Sequence, residues 1–274
     1  ETINMGENAF SGSLTLDSGL VGYWKFDEGT GTDIQDSSGY EHDGTLTNGE
    51  SDEWTASNAS TNFTNPYALD FDGTNDYVDA GQSVSLDLAN AVTISAWIKT
   101  SVSGSTEGIV GKTGIGAVTD RDYALVMGTS GRAHLNVNSA TFVQSTGTIN
   151  NNSWRHVAAT YDRINAKIFI DGAEDTSAAQ TAAIDDNNLD LIIGGYYSTG
   201  YLWNGLLDDV RIYNRALNAS EVGYLSAGNL GTGSGTYTLG SALDVDGNLE
   251  MYTGGIDVGT TGYAVTVSGS FIAA

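Results

Sequence analysis

The stretch GLLDDVRIYNRAL, residues 205–217, sets two carboxylates, Asp208 and Asp209, directly ahead of a strand-like run in which Val210 and Ile212 have the spacing of buried residues. Neighbouring side chains of a strand point to opposite faces, so Asp209 is expected on the face opposite Asp208. Carboxylates in such a place can gather a hard cation through oxygen ligands. They can equally be turn formers and solvated rim charges, the usual role of Asp in Gly-rich loops. Other chemistry is scarce. The chain has no cysteine, which removes thiol catalysis and disulfides, and only three histidines. A Ser-His-Asp site would have to be built around His156, yet the run RHVAATYD places that residue in a core strand, where a packed structural histidine is expected. One segment has the composition of a sugar site. In GGYYSTGYLWNG (194–205), Tyr196, Tyr197, Tyr201 and Trp203 stand in a Gly-rich setting and could stack on pyranose faces; alternatively, every second one turns into the core.

The elements that must position these residues are strands. VTISAWIKT (92–100) alternates Val92, Ile94, Ala96 and Ile98 with Thr93, Ser95, Trp97 and Lys99, the period of a strand with one apolar face. RHVAATYD and AKIFIDG flank the short connector 163–165 and read as a hairpin. ALDFDGTNDYVDAG reads as strand, turn and strand, bent at Asp72-Gly73. Many short strands broken by Gly, Asn and Asp turns indicate a sandwich. One short helix is expected after RAL: Asn218 can cap it, Glu221 completes a capping box, Leu217 and Val222 occupy the staple positions, and it should end near Gly228.

Three divisions follow: an N-terminal strand extension (1–18), a main domain (19–228), and a Gly/Ser/Thr-rich linker with two β-repeat units (229–274). The units LDVDGNLEMYTGG and IDVGTTGYAVTVSGS carry Asp-Val pairs 13 residues apart, at 244 and 257. Two units are too few for an independent solenoid, and the alternating run YAVTVSGSF invites pairing with another chain. The C-terminal units and the segment SGSLTL near the start are therefore expected to pair with other copies of the same protein.

The motifs GLVGYWKFDEGTGTDIQDSSGYEHDGTL, ALDFDGTNDYVDAG, VTISAWIKT, WRHVAATYDRINAKIFIDG and WNGLLDDVRIYNRALNASEV resemble, in order, those of laminin-G-like jelly rolls of the concanavalin A-like superfamily, over roughly residues 19–228. The resemblance implies an all-β, two-sheet jelly-roll sandwich with β-rich terminal extensions and one short helix. It also implies a structural calcium ion where the first strand meets the last. Asp208 matches the family's aspartate ahead of the VRIY strand. Its partners would be Asp27 and the loop DSSGYEHDG, through Asp36, Asp43 and the Gly39 carbonyl. Laminarinase-type relatives carry E-x-D-x-x-E on one strand face. The nearest match, ESDEWT, has Glu50 and Asp52 but Thr55 in the third place, and it lies in a Ser/Asn/Thr-rich loop. The expectation is therefore no enzymatic activity.

Thirty-four acidic against ten basic residues give a net charge of -24. Such a surface repels phosphate backbones and anionic lipids, which excludes nucleic acid and membrane-surface partners. No apolar run reaches the ~18 residues of a membrane span. The chain opens at Glu1 and reads as a processed chain or a piece of a longer one. Low Lys with abundant Gly, Ser, Thr and Asn suggests secretion. Together these imply a non-catalytic extracellular, cell-surface protein, structural or adhesive, assembling through terminal strands, with glycans or matrix as further partners. The alternative is a carbohydrate-binding module of a larger secreted enzyme or adhesin.

Overall fold

A computed structural model describes residues 18–228 apart from 50–52, 58, 60, 62–64, 114–121, 139, 186 and 197–200, and beyond them six short strands between 237 and 273. The chain divides into a unit over Gly19–Ala227 and a second made of the two flanks.

Among the described residues, sixteen strands build the first unit. In chain order they begin with β1 (Leu20–Trp24), β2 (Asp33–Ile34), β3 (Gly44–Thr47), β4 (Trp54–Ala56), β5 (Tyr67–Asp72) and β6 (Tyr77–Asp79). A 3₁₀ turn (Val84–Leu86) follows, then β7 (Val92–Lys99), β8 (Glu107–Lys112), β9 (Tyr123–Met127), β10 (Arg132–Val137) and β11 (Ala140–Thr148). The series closes with β12 (Arg155–Tyr161), β13 (Asn165–Ile170), β14 (Ala173–Ala179), β15 (Leu191–Ile193), β16 (Asn204–Tyr213) and the helix α1 (Ala219–Ser226). They form two antiparallel sheets, one in the order β14-β13-β12-β7-β16-β5-β4 with β1 also on β16, the other β11-β10-β9-β8-β15-β6-β3-β2. The two-sheet jelly-roll sandwich is the expected all-β class.

Local periodicity and pairing agree in the first sheet. Ile94 lies opposite Ala159 and Val92 opposite Tyr161 on β12, so like-facing side chains meet in register. These inner-face residues join Leu125, Ile109 and Ile193 of the second sheet in one buried core. The other face of β7 is not the solvated one that alternation suggests: Thr93, Ser95 and Trp97 are buried too. Part of the reason is the chain after β16. Thr93 Oγ1 donates to the Arg215 carbonyl (2.7 Å) and accepts from the Leu217 amide (2.9 Å). This lays the start of α1 over the sheet. The capping box is present: Asn218 accepts from the Glu221 amide (3.0 Å) and Glu221 accepts from the Asn218 amide (2.8 Å). Leu217, Val222 and Leu225 are buried beneath it.

One detail of the sequence reading changes. Trp54 to Ala56 is a strand paired with β5, not loop, because its backbone completes a sheet edge. The strand, turn and strand read around Asp72-Gly73 are β5 and β6, and the bend carries the chain from one sheet to the other.

In the second unit β17 (Tyr237–Thr238), β18 (Leu243–Val245) and β19 (Leu249–Met251) pair in parallel with β20 (Ile256–Asp257), β21 (Val265–Val267) and β22 (Phe271–Ala273). Asp244 lies opposite Thr266 and Asp257 opposite Thr238, so the two Asp-Val pairs are not register partners of each other. The described strands pair within the chain, and SGSLTL lies outside the described residues.

Candidate functional site

β16 changes neighbour halfway along one edge. Asn204 to Leu207 pair with β5, while Val210 to Tyr213 pair with β1. Asp208 and Asp209 fall at this seam, where the ends of two strands leave room beside the backbone. On the opposite edge the register against β7 slips between Asp208 and Arg211, a β-bulge, and Asp209 takes φ 54°. Leu207 and Val210 both belong to the core, so two residues occupy the interval that simple alternation gives to one. The expectation that Asp209 points opposite to Asp208 is thus overturned by the bulge, which spares the core a carboxylate.

Both side chains are sealed, at 0% and 1% exposed. Asp208 Oδ2 accepts from Ser57 Oγ (2.5 Å) and Asn65 Nδ2 (2.8 Å). Asp209 Oδ1 accepts from Tyr23 OH (2.6 Å) and Arg211 Nη2 (3.1 Å), and Arg211 also donates to Tyr23 OH (2.7 Å). Asp27, just beyond β1, accepts from the Tyr67 amide. Among the described residues, four buried oxygens of the site have no hydrogen-bond donor: Asp27 Oδ1, Asp208 Oδ1, Asp209 Oδ2 and Asn65 Oδ1.

The electrostatics record the same crowding. Burial, then the Asp209 charge, pushes the Asp27 carboxyl up to about 6 against the Tyr67 amide. Burial pushes Asp208 up to about 8, with Asp209 and Asp27 adding to the rise and Ser57 and Asn65 opposing it. Asp209 is also raised by burial, restrained by Arg211. Unpaired buried carboxylate oxygens are costly unless protonated or bound to a cation. The donors are all hard oxygens, which suits calcium in kind. Among the described residues no three acidic or histidine side chains form a metal cage by themselves. The Asn65 amide oxygen and main-chain or water oxygens would have to complete the shell.

The rest of the expected ligand set is engaged elsewhere. Asp36 Oδ1 accepts from the amides of Tyr23 and Ser38 (both 2.8 Å), and Oδ2 accepts from Ser38 Oγ (2.6 Å) and the His42 amide (3.0 Å). Asp43 Oδ1 accepts from the Asp36 amide (2.8 Å), and Gly39 sits at the bend with φ 88°. These residues organise their own loop. Ser57 and Asn65, which sequence reading missed, take their place beside Asp208; the only local signal was the Asn65-Pro66 turn pair.

The aromatic segment also divides. Trp203 is fully buried in the core and cannot stack on a sugar; this part of the expectation is corrected. Tyr196 is 4% exposed, packed on Ala124 and Val126, with its ring 6.2 Å from half-buried Tyr201. Its hydroxyl accepts from Asn136 Nδ2 (3.0 Å). Gly108 permits this packing, since a Cβ there would meet the Gly195 backbone at 2.3 Å. Tyr197, Glu50 and Asp52 lie outside the described residues. His156 is 1% exposed, edge-on to Trp97 at 5.5 Å, and burial pushes its imidazole down to about 3.

The family model described as the concanavalin A-like lectin/glucanases superfamily, of laminin-G type, matches residues 72–223, and the chain belongs to that family. No curated protein matches it in sequence. Similar solved structures include the binding domain of Paraclostridial Mosquitocidal Protein 1, at 19% identity and TM-score 0.58, covering 77% of this chain and 52% of that one. Domain 4 of an extracellular arabinanase from Geobacillus stearothermophilus, in complex with arabinotriose, has 20% identity and TM-score 0.58, covering 76% and 98%. Botulinum neurotoxin type C, whose cell entry depends on interaction with two ganglioside molecules, has 14% identity and TM-score 0.56, covering 77% and 51%. The chain spans about half the length of the first and third of these. At such identities what is shared is the fold.

Proposed function

We propose that this chain is a non-catalytic glycan-binding domain of an extracellular or cell-surface protein, with Asp27 and Asp208 holding a structural calcium ion. The observation that carries the non-catalytic reading is the sealing of the carboxylate cluster. Paired carboxylates with raised proton affinity are what a glycosidase uses as acid and base. Here Asp208 and Asp209 are 0% and 1% exposed and locked by Ser57, Asn65, Tyr23 and Arg211, beyond reach of a glycosidic oxygen. Glycan binding draws support from the superfamily and from the arabinotriose-bound and ganglioside-linked neighbours. When bound, the ion would neutralise the cluster and tie β16 to the end of β1. Among the described residues no helix is long and apolar enough to cross a membrane. The test is an oligosaccharide array followed by a product assay on each bound sugar. Binding without turnover is expected; release of sugar fragments would reject the reading.

A second reading, assembly through the C-terminal strands, is favoured by one observation. The three parallel ladders of the second unit are each only two strands wide, so each keeps two edges unpaired among the described residues. Such narrow sheets need further strands to be stable. Coils of another copy, or of adjoining chain, would supply them. Deleting residues 229–274 should abolish self-association measured by light scattering; unchanged assembly rejects this reading.

A further inference from the structure

The loop that spends Asp36 and Asp43 on hydrogen bonds builds something else. Tyr40 stands between Gly39 (φ 88°) and Glu41 (φ 62°), two residues in the left-handed region, the second of them uncommon for a side chain of its kind. The turn pushes Tyr40 outward, and the four bonds to the Asp36 carboxylate hold it there. Behind the Tyr40 ring, 5.9 Å away, lies His42, which is 8% exposed. His42 is itself fixed twice: its Nε2 is 2.6 Å from Ser85 Oγ, and its carbonyl accepts from the indole of buried Trp24 (2.9 Å).

Tyr40 faces an open groove of about 480 Å³ between this loop and the 3₁₀ turn, a volume within the range of small-ligand sites. Large exposed apolar side chains are few among the described residues: Tyr40 at 48%, Tyr67 at 39%, Val84 at 86% and Ile164 at 66%. Two of these four, Tyr40 and Val84, line this one groove, together with Ser85, Asp87, Asn90 and Asn214. The polar lining is held in place as well. Lys112, fully buried, pairs with Asp87 and with Asp122 (3.0 Å). Asn90 Oδ1 accepts from Arg163 Nη1 (3.0 Å), which turns its amide NH₂ toward donation.

An exposed aromatic face beside a methyl-bearing side chain, rimmed by two carboxamides, a hydroxyl and a carboxylate, matches the two surfaces of a sugar ring. The C–H face of a pyranose packs on an aromatic ring, and its hydroxyls exchange hydrogen bonds with amides and carboxylates. Among the described residues no Lys, Arg or His side chain lines the groove, Asp87 does, and the chain carries a net charge of -24. An anionic sugar would meet repulsion with no compensating cation. We infer that this groove binds a neutral pyranose unit of a glycan, with Tyr40 as its stacking platform and Asp87, Asn90 and Asn214 reading its hydroxyls. The inference rests on the glycan-binding reading above and names where, and to which class of sugar, binding occurs. Asp36, Gly39 and Asp43 thereby become positioning residues for Tyr40.

The test uses the full chain against an array of neutral hexose oligosaccharides alongside sialylated and sulfated ones, then titration calorimetry with the tightest binder. Tyr40→Ala should weaken binding of that sugar at least tenfold while the melting temperature stays within a degree or two, because the side chain is half exposed. Tyr40→Trp should retain binding, and Asn90→Ala should weaken it less than Tyr40→Ala. If a neutral sugar binds and Tyr40→Ala leaves its affinity unchanged, the groove assignment is overturned while the glycan-binding reading stands. Binding confined to the sialylated or sulfated sugars overturns the specificity and the groove together. Binding of no sugar on the array overturns both the groove and the reading on which it rests.

Discussion

Replacing Asp208 with Asn separates the metal from the fold. The Asp208 carboxyl, 0% exposed, is pushed from an ordinary 3.8 up to about 8. At 1.36 kcal/mol per pH unit, ionising it in the metal-free fold costs about 6 kcal/mol as an upper figure. The folded state therefore holds a proton that the unfolded chain has already released between pH 4 and pH 8. Metal-free stability should fall as pH rises across that window. Asp208→Asn is neutral at every pH and still accepts from Ser57 and Asn65, so in chelator it should flatten the slope and melt higher than wild type at pH 8. In calcium the order should reverse. At a hundredfold excess over its dissociation constant the ion adds about 2.7 kcal/mol to wild type. For a unit of this size, that is roughly 5–11 °C in melting temperature. Asp208→Asn should lose the increment. Because the carboxylate must shed its proton to bind, wild-type affinity should drop up to tenfold per unit as pH falls below about 8, with about one proton released per ion at pH 7. Differential scanning calorimetry in chelator and in calcium, with titration calorimetry in buffers of different ionisation enthalpy, measures all three. A wild-type melting temperature indifferent to chelator, or an Asp208→Asn variant that keeps the calcium increment, would refute the reasoning.

Three further outcomes are expected. Lys112→Met leaves Asp122 buried and without its cation, so it should cost about 3–5 kcal/mol in urea unfolding; adding Asp122→Leu should recover part of that, and a loss below 1 kcal/mol would mean the pair is solvated. His156 is neutral in the fold, with its imidazole down at about 3, while the unfolded chain protonates near 6.5. Stability is thus lost as pH falls below about 6.5, by about 2 kcal/mol at pH 5, and His156→Phe should remove that part of the acid limb; an unchanged limb would show the imidazole is solvated. Trp203→Ala should destabilise by about 3–5 kcal/mol as a core cavity, whereas Trp203→Phe should retain glycan binding on the array; selective loss of binding by Trp203→Phe at unchanged melting temperature would return Trp203 to the site.

What could be read from the sequence is what neighbours in the chain decide between themselves. The strand at 92–99, the hairpin around 163 and the Asn218–Glu221 capping box depend on periodicities of two or on contacts three residues apart, and they stand as read. Five ordered motifs were enough for the jelly roll. The buried cluster was half legible: Asp208 was named because it matches the family's aspartate ahead of the VRIY strand, and Asp27 as its partner from the early segment. Three things were decided only by tertiary structure. Ser57 and Asn65 reach Asp208 across 151 and 143 residues, through the way β4 and β5 return to the sheet. The bulge at Asp209 exists because β16 must keep both Leu207 and Val210 in the core while exchanging β5 for β1. Tyr40 and Val84, which as isolated letters are a loop tyrosine and an exposed valine, share one groove because His42 bonds Ser85 across 43 residues. Hydrophobic pattern specifies which face of an element is buried; which polar atoms then meet depends on pairing between distant strands, which no local spacing encodes.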